Sequence, residues 1–79
     1  MYYIYILKSE KDGKYYTGYS SDLRKRLKDH QSGNVESTKN RRPLELIYYE
    51  AYKEKAQALR REKFLKNTKG KLQLRKQLA

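Results

Sequence analysis

Two short runs near the start of the chain hold six of its nine tyrosines. The first run is Tyr-Tyr-Ile-Tyr-Ile-Leu at residues 2–7, and the second is Tyr-Tyr-Thr-Gly-Tyr at residues 15–19. A tyrosine hydroxyl donates and accepts hydrogen bonds, and it gives up its proton when a cation lies near. Aromatic and β-branched residues in short runs predict strands, so these phenols would project from a sheet. In a basic chain, such phenols indicate a polyanionic partner.

The charge balance favours nucleic acid as that partner. Twenty Lys and Arg residues face nine acidic residues, for a net charge of +11 and a pI near 9.9. The alternative explanations of the charge are a surface that only keeps the protein soluble, a ribosomal protein, or a protein that binds a membrane surface. No apolar run approaches the roughly 20 residues that span a bilayer, and no signal peptide is visible, so we expect no membrane partner and a cytoplasmic location. Without cysteine and with one histidine, the chain lacks the usual ligands of a structural zinc site.

The pattern of turns and apolar residues predicts one domain, residues 1–79, with an α+β fold. Asp12-Gly13 between the tyrosine runs is a strong hairpin signal. Ser20 or Ser21 can cap a first helix that ends before Gly33. The predicted elements, in the order β-β-α-β-α-α, are strands at 2–9 and 15–19, a helix to residue 31, a basic loop closed by Pro43, a strand at 44–52, a helix at 54–66, a break at 67–70 and a helix at 71–78.

The predicted hairpin decides which tyrosines share a face of the sheet. Side chains alternate along a strand, so a two-residue turn places Tyr5 and Leu7 on the same face as Tyr16 and Gly18. In that register Gly18 lies opposite Leu7, where it leaves room for close approach. Tyr5 and Tyr16 would then be about 13 Å apart along the strands, at roughly 3.3 Å per residue.

The first helix presents two functional groups beside its buried stripe. Leu23 and Leu27 mark that stripe, and Arg26 and His30, four residues apart, flank it. Both residues also have simpler possible roles. Arg26 can form an ion pair with Asp22, and His30 can be a residue near the C-terminus of the helix that interacts favourably with the helix dipole.

A carboxylate interrupts the inward side of the second helix. Glu62 is three residues from both Leu59 and Leu65, and a buried charge needs a partner. We expect Arg26 or a cation to be that partner. If the helix is rotated, Glu62 instead pairs with Arg60 or Lys66 on a solvated face.

These residues, in this order, resemble the GIY-YIG nuclease family over nearly the whole chain. The first half-motif is Tyr3-Ile4-Tyr5 and the second is Tyr16-Thr17-Gly18. Arg41-Arg42-Pro43 and residues 58–62, Ala-Leu-Arg-Arg-Glu, look like hallmarks of the small single-domain bacterial members. The chain also resembles the nuclease domain of the excinuclease C subunit, although Tyr19 stands where such repair nucleases carry a lysine.

The resemblance implies a three-stranded antiparallel sheet flanked by helices and metal-dependent hydrolysis of phosphodiester bonds, usually in DNA. By position, Arg26 matches the catalytic arginine and Glu62 the single metal-binding carboxylate, for Mg²⁺ or Mn²⁺. Tyr5 and Tyr16 match the two motif tyrosines, and His30 matches a histidine found in some members.

The implied chemistry is coherent on the residues themselves. A metal on Glu62 would polarise the phosphate, Arg26 would offset its charge, and Tyr5 or Tyr16 would take a proton from water if Arg26 or the metal lowers its pKa, with His30 as a relay. Predicted phosphate contacts are Lys39, Arg41, Arg42, Lys63, Lys66, Lys69 and Lys71.

Two rival functions fit the same sequence. The strand tyrosines can stack on bases in a binding module without catalysis. A third possibility is an interaction domain that has lost turnover. Taken singly, tyrosines on strands are more often packing residues, and we expect this of Tyr2, Tyr48, Tyr49 and Tyr52.

Overall fold

The computed structural model describes residues 1–78 and confirms the predicted α+β architecture. The elements are β1 (Tyr2–Ser9), β2 (Tyr15–Ser20), α1 (Leu23–Gln31), β3 (Leu44–Tyr52), α2 (Lys55–Lys66) and α3 (Thr68–Leu78), with a 3₁₀ turn at Lys39–Arg41. The three strands form one antiparallel sheet in the order β2-β1-β3. Ala79, the last residue of the predicted domain, lies outside the described residues. None of the helices in the described part is long and apolar enough to cross a membrane.

The loop of the β1–β2 hairpin is longer than the two-residue turn on which the predicted register was based. The Ser9 amide donates to the Lys14 carbonyl at 2.9 Å, so four residues, 10–13, form the connection. The Ser9 hydroxyl oxygen accepts from the amides of Lys11 and Asp12, at 3.1 and 3.3 Å. This buried serine accepts hydrogen bonds from two backbone amides inside the loop and so stabilises it. In a two-residue turn at Asp12-Gly13 these hydrogen bonds would not be part of the loop.

The longer loop shifts the strand register by two residues. Tyr5 lies opposite Gly18, and Leu7 lies opposite Tyr16, so the predicted pairing of Leu7 with Gly18 was wrong. A shift of two keeps every side chain on its predicted face. It also brings the rings of Tyr5 and Tyr16 to 6.4 Å between centroids, where the predicted register had left them far apart.

The sheet lies between two layers of helix, each with its own apolar cluster. The cluster on the α1 side contains Tyr5, Leu7 and Leu44, with Tyr16, Leu23, Leu27 and Leu46 against it. The cluster on the α2 side contains Ile4, Ile6, Ala58, Leu65 and Leu74, and Tyr2, Tyr48 and Tyr52 pack on it as expected. Tyr49 departs from this expectation because it is 52% exposed.

A bulge in β3 lets one strand serve both clusters. Ile6 pairs with Tyr48 and the next residue, Leu7, pairs with Leu46, so Ile47 is an extra residue in β3. Strict alternation would place Leu44, Leu46 and Tyr48 on one face. The inserted residue turns the two leucines toward α1, while Tyr48 and Ile47 pack on the α2 side.

The helix starts differ from the predicted ones in two places. Asp22 caps α1 in place of Ser20 or Ser21, because its carboxylate accepts from the Lys25 amide at 3.2 Å. Helix α3 begins at Thr68, three residues before the prediction. Within it, an added Cβ at Gly70 would lie 1.9 Å from the Phe64 carbonyl oxygen of α2. The glycine is therefore required by the close crossing of α2 and α3.

Candidate active site

A chain of buried hydrogen bonds crosses the space between the sheet and α1. The Tyr5 hydroxyl and His30 Nε2 are 2.7 Å apart, and His30 Nδ1 is 2.7 Å from the Thr38 hydroxyl. All three side chains are fully buried. The strand β1, the end of α1 and the loop before β3 each supply one member, so the chain fixes these elements relative to one another.

The direction of each hydrogen bond follows from what each group can donate. Arg26 has no acceptor, so its Nε–H donates to the Tyr5 oxygen, at a long 3.4 Å. The single hydroxyl hydrogen of Tyr5 then points to His30 Nε2. A neutral imidazole carries its hydrogen on the other nitrogen, so we assign Nδ1–H as the donor to Thr38.

Gly18 makes room for this arrangement. It lies opposite Tyr5 across the β1–β2 ladder, and a Cβ at this position would be 2.3 Å from Tyr5 Cζ and 2.4 Å from the hydroxyl oxygen. The phenol of Tyr5 therefore lies over the bare backbone of β2. The space beside Gly18, which we expected to admit a ligand or a backbone segment, is filled by the Tyr5 phenol.

Accessibility separates the two motif tyrosines. Tyr5 is fully buried, whereas Tyr16 and Arg26 are half-buried. The Tyr16 ring packs edge-on against His30, with centroids 5.2 Å apart. The Tyr5 hydrogen bond raises the pKa of Arg26, and the Tyr16 hydroxyl raises it further. Tyr16 is therefore the phenol that a substrate at this surface can reach, beside the guanidinium.

Burial keeps both buried groups neutral. It raises the pKa of Tyr5, and this effect outweighs the lowering by Arg26, so the net shift does not meet the condition under which Tyr5 would act as the base. Burial, followed by the charge of Arg26, lowers the pKa of His30 to about 4. At neutral pH the pair is a phenol and a neutral imidazole.

Glu62 lies on α2, the helix that packs on the other side of the sheet from Tyr5 and Tyr16. Its charge is among the causes that raise the pKa of Tyr5, which places it within electrostatic reach of that phenol. Its ion-pair partner is Lys66, at 3.3 Å one turn along α2, and not the expected Arg26. The Glu62 side chain is 21% exposed, so α2 is rotated further toward solvent than the spacing of its leucines predicts.

The predicted phosphate contacts divide into two groups. Arg41, Arg42 and Lys39 are held by the protein: Arg41 pairs with Asp12 at 3.4 Å, and Arg42 Nε donates to the Lys39 carbonyl at 2.9 Å. Lys39 itself pairs with Glu36 at 3.2 Å. Exposed lysines on α2 and α3 form the second group, which consists of Lys63, Lys66, Lys69 and Lys71.

Two features escaped the sequence interpretation. Thr38 lies in a loop without periodicity, so only the fold reveals its contact with His30. The second feature is a half-buried hydrogen-bond network around Glu50. Its carboxylate accepts hydrogen bonds from Arg61 Nε at 3.0 Å, from Arg61 Nη2 at 3.2 Å and from the Tyr48 hydroxyl at 2.5 Å, and it also accepts one from the Tyr52 hydroxyl. These hydrogen bonds outweigh burial and lower the pKa of Glu50. Because Arg61 precedes Glu62, the network helps to fix the rotation of α2.

The fold and the site together define a GIY-YIG catalytic domain, whose family profile matches residues 1–76. The chain belongs to the GIY-YIG family. Within it, a UPF0213 protein of Staphylococcus saprophyticus is 48% identical over 62 residues, which cover 77% of this chain and 74% of that protein. A UPF0213 protein of Staphylococcus aureus is 40% identical over 75 residues, covering 94% and 90%.

A solved structure is similar across the same length. The solution NMR structure of a UPF0213 protein from Bacillus halodurans superimposes with a TM-score of 0.59 at 38% sequence identity. The match covers 94% of this chain and 82% of that one. The chain is thus similar to small single-domain GIY-YIG proteins over nearly its full length.

Proposed function

We propose that the protein is an endonuclease that hydrolyses phosphodiester bonds in DNA, with a divalent metal ion and low sequence specificity. The observation that carries the proposal is the convergence of Tyr5, Tyr16, Arg26 and His30, from β1, β2 and α1, with Glu62 in electrostatic reach. Membership of the GIY-YIG family supports it, and so does the net charge of +11. We expect this chemistry in the cytoplasm.

Tyr16 is the phenol that we assign to the attacking water, because it is half-buried whereas Tyr5 is enclosed. Tyr16 hydrogen-bonds the attacking water and takes up its proton as the water oxygen bonds to phosphorus and the P–O bond to the oxygen of the leaving strand breaks. Arg26 donates to the phosphoryl oxygens and offsets their growing charge. Tyr5 accepts a hydrogen bond from Arg26, and the rings of Tyr5 and His30 pack against Tyr16. These buried residues, with Thr38 bonded to His30, thus position Arg26 and Tyr16.

Glu62 is the side chain that would hold Mg²⁺ or Mn²⁺. Its carboxylate is a hard oxygen ligand, and such ions are commonly held by one or two carboxylates together with water and substrate phosphate. Within residues 1–78 no group of three or more potential metal-binding side chains occurs, so a single-carboxylate site fits this chain better than a two-metal clamp. When bound, the ion would supply Lewis-acid stabilisation of phosphate charge.

The lysines Lys63, Lys66, Lys69 and Lys71 and the loop residues Lys39, Arg41 and Arg42 are the proposed contacts to the nucleic-acid backbone. Phosphate contacts position a duplex without reading its sequence. Arg41 and Arg42 would have to share their guanidinium groups between phosphate and their internal partners. Specificity would then come from the shape of the DNA, a partner or dimerisation.

Cleavage of supercoiled plasmid and of branched DNA, with and without Mg²⁺ or Mn²⁺, tests the proposal. Loss of an electrostatic or acid–base contributor typically reduces rates by about 10²–10³-fold, which we expect for Arg26→Ala and Glu62→Gln. Tyr16→Phe should fall similarly. Glu45→Gln, an exposed carboxylate on β3, and Tyr2→Phe are the matched controls and should retain activity. Wild-type protein that binds DNA but does not cut it with either metal would refute the proposal.

One observation favours the rival function of a non-catalytic binding module. Tyr49 is 52% exposed and packs edge-on against Tyr3, with centroids 6.2 Å apart. An exposed aromatic ring packed on a half-buried one is the kind of sheet surface on which unpaired bases stack. Tyr49→Ala should weaken single-strand binding strongly under this rival and leave plasmid cleavage by the enzyme largely intact.

A further inference from the structure

A cavity of about 470 Å³ lies on the α2 side of the sheet, between the hairpin and α3. Leu65 of α2 and Leu74 of α3 lie at the bottom of the cavity but are almost fully buried, so they expose little surface to it. Tyr15 and Thr17 of β2 form one wall and supply hydroxyl groups. This volume falls in the range of small-ligand sites and is far larger than inorganic phosphate requires.

The rim of the cavity is cationic. Lys14 stands on the hairpin side, and Lys71 and Arg75 stand one turn apart on α3. No acidic residue lines the cavity. Asp12, the acid nearest to Lys14 in the sequence, is engaged by Arg41 at 3.4 Å. Three cations beside the half-buried ring of Tyr15 suit a ligand that is flat at one end and anionic at the other.

The cavity lies on the opposite face of the sheet from Tyr5 and Tyr16, and α2 and the edge strand β2 connect it to the candidate active site. Leu65 follows Glu62 by three residues on α2, which is less than one helical turn of 5.4 Å. Tyr15 and Thr17 flank Tyr16 on β2 but point to the other face of the sheet. Because β2 is the edge strand, a nucleic-acid strand that crosses this edge meets both the half-buried Tyr16 and the cavity.

We propose that this cavity binds one nucleotide of a nucleic-acid strand, with its base against the ring of Tyr15 and its phosphate held by Lys71, Arg75 and Lys14. The position of this nucleotide beside the scissile phosphate rests on the proposed function, but the binding itself does not require cleavage. A free nucleotide has the same chemistry, so the ligands below separate the two sources.

The experiment is a titration of the ¹⁵N-labelled protein, followed by amide chemical shifts, with AMP, with a six-residue oligothymidylate and with inorganic phosphate. The test variant is Lys71→Gln/Arg75→Gln. The control is Arg60→Gln/Lys76→Gln, which removes one arginine and one lysine from exposed positions of α2 and α3 outside the cavity. Circular dichroism checks that both variants fold.

We expect nucleotide-induced shifts at residues 13–17 and along α3. Affinity should drop about tenfold or more in the test variant, as expected for losing hydrogen bonds to a charged ligand, and less than about twofold in the control. Tighter binding of the oligonucleotide assigns the cavity to a strand, and equal binding of AMP assigns it to a free nucleotide.

Equal losses in both variants would overturn the proposal, because they would indicate general charge attraction. Phosphate binding as tight as AMP would also overturn it, since the base would then contribute nothing. A wild-type protein that cuts no DNA but shows the expected binding would refute the proposed function and leave the cavity assignment standing.

Discussion

The buried His30 should make the protein lose stability between pH 7 and pH 5. In the folded state the pKa of His30 is about 4, whereas an unfolded chain has a histidine pKa of about 6.5. Between these values the unfolded chain binds a proton that the folded protein refuses, so stability falls as the pH falls. Linkage gives a loss of about 2 kcal/mol between pH 7 and 5, and about 3 kcal/mol once the pH is below 4.

This loss is large for a small domain. A change of about 2 kcal/mol corresponds to a decrease in Tm of roughly 8–16 °C for a chain of this size. His30 is the only histidine in the chain, so no other imidazole contributes to this pH range. Carboxylates with lowered pKa values, such as Glu50, change the stability mainly below their ordinary pKa of 4.5, which lies under the range of pH 7 to 5.

Urea unfolding by circular dichroism at pH 7, 6 and 5 measures the effect, with His30→Gln as the comparison. The variant should be less stable at pH 7, because Tyr5 and Thr38 lose their partner, but its stability should depend less on pH. A parallel NMR titration of the His30 ring follows the pKa directly. The reasoning fails if that ring titrates near pH 6.5 in the folded protein, or if the wild type and the variant show the same pH slope.

Three further changes test the packing. Gly18→Ala would push a methyl group into the Tyr5 phenol, and we expect a loss of about 1–3 kcal/mol in urea unfolding together with a rise in the pKa of His30 toward its ordinary value. Gly70→Ala should destabilise although alanine favours helix by about 1 kcal/mol, since its Cβ meets the α2 backbone; a rise in Tm would contradict the observed crossing. Glu50→Ala leaves Arg61 half-buried without its partner, so a loss of about 1–3 kcal/mol is expected, with Glu45→Ala as the exposed control.

The elements were predictable from the sequence because each carries a local signal. The strand at 44–52 matches the prediction at both ends, and the alternation of β1 and β2 assigned the faces correctly. The hairpin register was not predictable, since it depends on the Ser9 hydroxyl, which stabilises a longer loop from outside the turn. An error of two residues in the strand register leaves each side chain on its predicted face of the sheet but changes the distances between side chains on the two strands.

The members of the site were predictable, but their environments were not. Burial of Tyr5 and His30 depends on how α1 and the loop containing Thr38 close over the sheet, and no local pattern encodes that closure. For this reason the sequence could not distinguish the enclosed phenol from the accessible one. The sequence left the partner of Glu62 open between Arg26, a cation and the solvated Arg60 or Lys66. The rotation of α2 decides among them, and it depends on the ion pair of Arg61 with Glu50, a residue of another element.

The extra residue in β3 explains how so short a chain fills the space on both sides of its sheet. A nine-residue strand of unbroken alternation delivers its apolar residues to a single layer. With Ile47 inserted, the beginning of the strand supports the helix that carries Arg26, and its end supports the helix that carries Glu62. Residues from two opposite layers can thus be aligned by one continuous segment of backbone, without a second sheet or a longer chain.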